Sequence, residues 1–148
     1  MPPDADRWWV KITDFGVSKR IYEWPSGTST ANGTPTYIPP EMQILFSDQC
    51  FAVDIWGVGQ IAFVILTKTQ PFQDSGHLLR YGAKKEPFPL KELESNGISE
   101  LGQEFILSCM SPSPTKRLTA GQALDHRWIR KVSSHGSRPD SKRAPRYA

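Results

Sequence analysis

The chain is 148 residues long, 38% hydrophobic and 22% charged, with a formal net charge of +3. This length makes one domain the expectation, leaves little room for two, and lets the chain bury about 70% of its unfolded surface. Five Trp and seven Phe exclude a wholly disordered chain, and 11 Gly with 13 Pro fall short of a low-complexity composition.

Residues 1–9, MPPDADRWW, lack a basic start followed by an apolar run, so no secretory signal is expected there. Val10-Lys11-Ile12 alternates as a short strand and leads into Thr13-Asp14-Phe15-Gly16, where Gly permits a sharp turn. Residues 21–40, rich in Ser, Thr, Gly, Pro and Asn, read as a long loop, and loops of that length are commonly functional. From Ala52 to Thr67 the chain is apolar all round, too long for a strand, and predicts a helix through the middle of a core. Its β-branched residues with Gly57 and Gly59 make it weak as an isolated helix, so burial must stabilise it. Asp54 and Gln60 interrupt the run, which is also too short to span a bilayer.

A short helix is expected near His77–Tyr81, then a segment punctuated by Pro87 and Pro89. Ser99 is placed to cap a helix over Glu100–Met110, with Leu101, Phe105 and Cys109 along one face. Thr119-Ala-Gly-Gln122 fits a capping box, with Ala120, Ala123, Leu124 and Trp128 following at helical spacing. Pro112 and Pro114 separate these two helices. Cys50 and Cys109 form neither a disulfide framework nor a zinc pair and read as reduced, buried thiols.

Charge is unevenly placed. Residues 131–148 hold five basic residues and one acid, leaving thirteen basic and fourteen acidic residues in 1–130. With four serines, two prolines and few large apolar side chains, 131–148 is expected to be a basic disordered tail. The body has no basic stripe, so nucleic acid is not expected as a partner. With no secretory signal and no spanning run read from the sequence, no membrane partner is expected either, and the expected place is intracellular, in cytoplasm or nucleus.

Four segments, in this order and spacing, are specific: Lys11-Ile-Thr-Asp-Phe-Gly16, Gly33-Thr-Pro-Thr-Tyr-Ile-Pro-Pro-Glu41, Asp54-Ile-Trp-Gly-Val-Gly59, and Lys116-Arg-Leu-Thr-Ala-Gly-Gln-Ala-Leu-Asp-His-Arg-Trp128. Through them the chain resembles the C-terminal lobe of a eukaryotic protein kinase of the Ser/Thr type. The resemblance implies a mainly α fold, a partial kinase lobe over 1–130 with a short β remnant before and after the DFG motif. It gives Asp14 the role of the ligand to Mg²⁺ bridging the ATP phosphates, since hard Mg²⁺ prefers oxygen ligands, with Phe15 and Gly16 beside the nucleotide. Gly33, Thr34, Pro35, Tyr37, Pro40 and Glu41 match the substrate-docking loop and its closing Pro-Glu, with Pro39 standing where Ala is usual. Thr34 is what Ser/Thr-specific members carry. Thr30 lies where such loops are phosphorylated, with Thr28 and Ser29 as competitors.

Asp54 matches the acid that caps the catalytic-loop amides, Trp56 and Trp128 are read as core, and Glu41 and Arg117 match a buried ion pair. His126 is read as structural. A further likeness to calcium/calmodulin-dependent-like kinases rests on Asp-Phe-Gly-Val-Ser-Lys and Arg-Leu-Thr-Ala, although no calmodulin-binding helix follows.

The family's glycine-rich loop, ATP-binding Lys and His-Arg-Asp catalytic loop are not in these 148 residues. No catalytic residue is therefore assigned. ATP and Mg²⁺ are expected in the complete domain but not bound tightly by this chain, which alone is expected to be inactive. The complete kinase would act on a protein substrate. The other readings are a pseudokinase-like binding module using the surface around Gln73–Pro89, and a degenerate gene product. Without a covering segment the central helix should be partly bare, giving a poorly packed monomer or an aggregate.

Overall fold

The computed structural model describes residues 11–13, 37–44 and 50–133, and all of the regular structure among them is helical. In chain order the helices are α1 (Pro40–Ile44), α2 (Cys50–Thr67), α3 (Ser75–Gly82), α4 (Leu90–Ser95), α5 (Glu100–Cys109), α6 (Ala120–Asp125) and α7 (Arg127–Ser133), with a 3₁₀ turn at Pro114–Lys116.

The fold is built on α2, which packs most extensively against α5. Ile55, Trp56, Gln60, Phe63 and Thr67 are buried along one side of α2. They meet Phe105, Ile106, Cys109 and Met110 from α5 and its C-terminus, and Phe72, Leu78, Tyr81, Phe88 and Leu93 from the α3–α4 region. Rings set the geometry at the centre. Trp56 stacks on Phe72 at 6.1 Å, and Phe88 presents its edge to Phe63 at 5.8 Å and to Tyr81 at 5.6 Å. Such offset and edge-on pairs satisfy the ring quadrupoles while burying a large apolar area.

The opposite side of α2 is bare, as expected of the central helix without a covering segment. Phe51, Val58, Ile61 and Ile65 are 64, 44, 53 and 60% exposed. Their spacing of three, four and seven residues puts them in one stripe down the helix, with exposed Asp54 on the same face. No helix among the described residues is long and apolar enough to cross a membrane.

Local signals account for the helix ends. Asp74 accepts from the His77 amide at 2.7 Å and caps α3, and this bond holds its carboxyl below the ordinary range. Ser99 caps α5 by accepting from the Gly102 amide at 3.4 Å. Thr119 and Gln122 form the complete capping box of α6. After α4, Gly97 takes φ +69°, and the amides of Gly97 and Ile98 bond back to Glu94 and Leu93.

Three expectations are corrected. Lys11–Thr13 is irregular and exposed, with no strand among the described residues for it to pair with. The helix after Thr119 is interrupted: His126 is extended, and its Nδ1 accepts from the Trp128 amide at 3.2 Å, ending α6 and capping α7. That break turns Leu124 outward, to 70% exposure. Trp128 nonetheless packs at 5.3 Å on Phe105, which also meets the His126 ring at 5.2 Å. α7 runs on through Ser133, and the rest of the tail lies outside the described residues.

Cys109 is a free, buried thiol whose burial pushes it up to about 12 from 9.0. Burial likewise pushes the Tyr81 phenol up to about 12 from 10.0 against the opposing charge of Arg117, while its hydroxyl donates to the Met110 carbonyl at 2.9 Å. Both groups stay protonated in the folded chain at pH values where the unfolded chain loses the proton. The contribution of these two groups to stability is therefore complete below pH 9 and is lost as pH rises from there towards 12. Melting midpoints taken from pH 7 upward should fall from near pH 9, and Cys109→Ala should delay the onset to near pH 10, where Tyr81 alone remains.

Candidate functional site

The segment Tyr37–Ile44 is held on the core by contacts from distant parts of the chain. Pro39 and Pro40 are fully buried. Pro40 opens α1, a position where its missing amide proton and fixed φ suit a helix start. The backbone of α3 comes close here, since a Cβ on Gly82 would stand 2.6 Å from Pro40 Cβ. Glycine at 82 is what allows α1 to lie against α3.

One residue later, Glu41 meets Arg117. Arg117 Nη1 donates to Glu41 Oε1 and Nη2 to Oε2, both at 2.6 Å, a two-pronged pair joining residues 76 apart in sequence. The Arg117 side chain is 0% exposed and that of Glu41 10%. Arg117 also donates from Nε to the Ser111 carbonyl at 2.8 Å and from Nη1 to the Ala52 carbonyl at 3.0 Å. Its guanidinium lies 4.9 Å from the centre of the Trp56 ring. A buried cation needs charge and hydrogen-bond partners together, and here it has both. The arrangement joins α1, the start of α2 and the loop after α5 at one point.

The other end of the segment is held differently. Tyr37, 38% exposed, accepts through its hydroxyl oxygen from Gln70 Nε2 at 3.2 Å. Gln70 Oε1 in turn accepts from Gln60 Nε2 at 3.4 Å, and Gln60 Oε1 accepts from Trp56 Nε1 at 3.1 Å. The sequence singles out neither Gln60 nor Gln70 as a site residue, although Gln60 lies one helical turn beyond Trp56, within an otherwise apolar run.

Of the residues marked in the sequence, the structure brings together Tyr37, Pro40, Glu41, Trp56 and Arg117. Asp54 is exposed on the bare side of α2, away from the buried side that carries Trp56. Asp14, Phe15, Gly16, Thr30, Gly33, Thr34 and Pro35 lie outside the described residues. The described residues contain no group of three or more His, Cys, Asp or Glu able to hold a metal ion, so no step through a bound metal or nucleotide is derived from them.

Comparison with known proteins gives a consistent result. The family model of the protein kinase domain matches residues 3–129. A probable myosin light chain kinase of Dictyostelium discoideum is 35% identical over 130 residues, which are 87% of this chain and 32% of that protein. A serine/threonine-protein kinase H1 homolog of Danio rerio is 34% identical over 137 residues, 86% of this chain and 31% of that one. A crystal structure of the Rad53 kinase domain and SCD2 in complex with AMPPNP superposes with a TM-score of 0.57 at 29% identity, covering 69% of this chain and 40% of that one. The chain thus spans about a third of the length of these curated relatives.

Proposed function

The chain belongs to the protein kinase domain family, and from that premise we propose that it is the activation segment and following helices of a serine/threonine protein kinase. In the complete protein, the γ-phosphoryl of Mg²⁺-bound ATP would pass to a Ser or Thr hydroxyl of a protein substrate. Residues 1–130 would form the partial kinase domain and 131–148 a basic tail.

The observation that carries this reading is the buried Glu41–Arg117 pair. It anchors the end of the Gly33–Glu41 segment to the core, as a loop must be anchored if it is to present a peptide at a fixed position. Substrate would lie along Gly33–Tyr37, with Thr34 favouring Ser/Thr acceptors and a phosphate on Thr30 as the ordering modification. Asp14 would hold Mg²⁺, which supplies charge neutralisation at the transferring phosphoryl group, and Phe15 and Gly16 would border the nucleotide. Asp54 would meet backbone amides of a segment outside these residues.

Phosphoryl transfer depends on positioning and electrostatic stabilisation, and one metal ligand does not supply them. The 148-residue chain alone is therefore expected to incorporate no label from γ-labelled ATP into a generic Ser/Thr substrate. Incorporation abolished by Asp14→Ala would overturn that. An immunoblot of source cells with an antibody to residues 131–148 tests the kinase reading itself. A band well above the size of a 148-residue chain supports it; a single band at that size favours a non-catalytic binding role. Such a role would use the surface around Gln73–Pro89.

A further inference from the structure

We propose that Gln60 and Gln70 are positioning residues, which hold Tyr37 and with it the docking segment from the end opposite Glu41. The substrate-docking role of that segment is taken from the reading above; the positioning itself is argued from the hydrogen bonds.

An indole N–H can only donate, and Trp56 is 0% exposed, so it must find an acceptor inside the protein. Gln60, 1% exposed and one turn along α2, supplies Oε1 at 3.1 Å. This fixes which way round the Gln60 amide sits. Its NH₂ group is turned to Gln70 Oε1 at 3.4 Å, which leaves the Gln70 NH₂ group to donate to the Tyr37 oxygen at 3.2 Å. The chain of bonds runs one way, from the buried indole to the surface phenol. The Tyr37 oxygen is the last acceptor within it.

The turn after α2 is shaped to place Gln70. Lys68 adopts φ +62°, a left-handed conformation unfavourable for a non-glycine residue. Thr67 Oγ1 donates to the Phe63 carbonyl at 2.9 Å and accepts from the Thr69 amide at 3.2 Å, fastening the reversed chain to the helix end. Residue 70 is thereby folded back over residue 60. Trp56 is the common support: Arg117 on its face holds Glu41, and Gln60 on its N–H leads to Tyr37. The two attachments lie four residues apart, on either side of Pro39-Pro40.

Gln70 is exposed, so its replacement empties no core and should leave the melting midpoint unchanged. Hydrogen exchange of the full chain is the test, comparing amides of residues 41–44 with those of α5. Gln70→Ala and Tyr37→Phe should each speed exchange of 41–44 about three- to tenfold, the range for one lost hydrogen bond. The double variant should be no faster than the faster single one, because both break the same chain. Gln70→Glu should restore slow exchange, since a carboxylate still accepts from Gln60 and can take the Tyr37 proton. Unchanged exchange, single effects that multiply in the double variant, equal acceleration in α5, or a Gln70→Glu variant that behaves as Gln70→Ala would each overturn the proposal. Ser/Thr-peptide binding followed by anisotropy separates the two readings. If no peptide binds even the unaltered chain while the exchange pattern holds, the positioning role stands and the docking reading alone falls.

Discussion

Arg117→Ala is expected to lower the unfolding free energy by about 3–5 kcal/mol, the range for breaking a buried pair from one side. The loss has several sources. Glu41, only 10% exposed, is left as a carboxylate with no counter-charge. The carbonyls of Ser111 and Ala52 lose their donors, and the Trp56 ring loses the cation over its face. Arg117→Lys should recover little, because one ammonium cannot match a fork that makes four hydrogen bonds in three directions. Glu41→Ala should also destabilise, and the Arg117→Ala/Glu41→Ala pair should cost much less than the sum of the single changes. Urea denaturation of the four proteins measures that coupling. The exposed Arg130–Asp125 pair, 68% and 70% exposed, is the control and should contribute at most about 1 kcal/mol. Added salt should weaken the control and leave the buried pair nearly untouched. Four proteins that unfold at one urea concentration would show that the Glu41–Arg117 pair does not hold the segment.

The parts of the molecule legible in the sequence are those fixed by local chemistry. The apolar run that becomes α2, the Ser99 cap of α5 and the Thr119–Gln122 capping box each depend on residues within a few positions of one another. Glu41 and Arg117 were linked only through family resemblance, since nothing in their own neighbourhoods points from one to the other. α1 and α4 were not read, as five and six residues are too few to show a helical period and both follow prolines that read as loop. Leu124 and Trp128 follow the capping box at helical spacing, but the His126 side chain between them caps a new helix, which spacing alone does not show. Gln60 and Gln70 went unmarked for a different reason. Gln60 carried a signal, a lone amide one turn from Trp56, but its meaning depends on a turn that brings residue 70 back. Such long-range closure follows from the fold and not from spacing.

Gly59→Ala should destabilise the chain by about 1–2 kcal/mol, whereas Gly57→Ala, two residues away on the same helix, should stabilise it by up to about 1 kcal/mol. Both substitutions remove the backbone freedom that makes glycine a poor helix residue, so propensity favours both. Space decides the sign. A Cβ on Gly57 meets nothing within 4 Å, so only the propensity gain remains. A Cβ on Gly59 would stand 2.6 Å from Met110 Cγ and 2.7 Å from Cys109 Cβ. Met110 can rotate away, but a Cβ fixed to the α5 backbone cannot, so α2 and α5 must separate where they are packed closest. Interiors this dense resist even one added methyl group, and the resulting strain of about 1–3 kcal/mol outweighs the propensity gain. Cys109→Gly in the Gly59→Ala background should relieve part of that strain, although it adds a glycine to α5. Urea midpoints of the three variants measure the effect. A stabilised Gly59→Ala protein would mean that α2 and α5 are further apart than the structure places them.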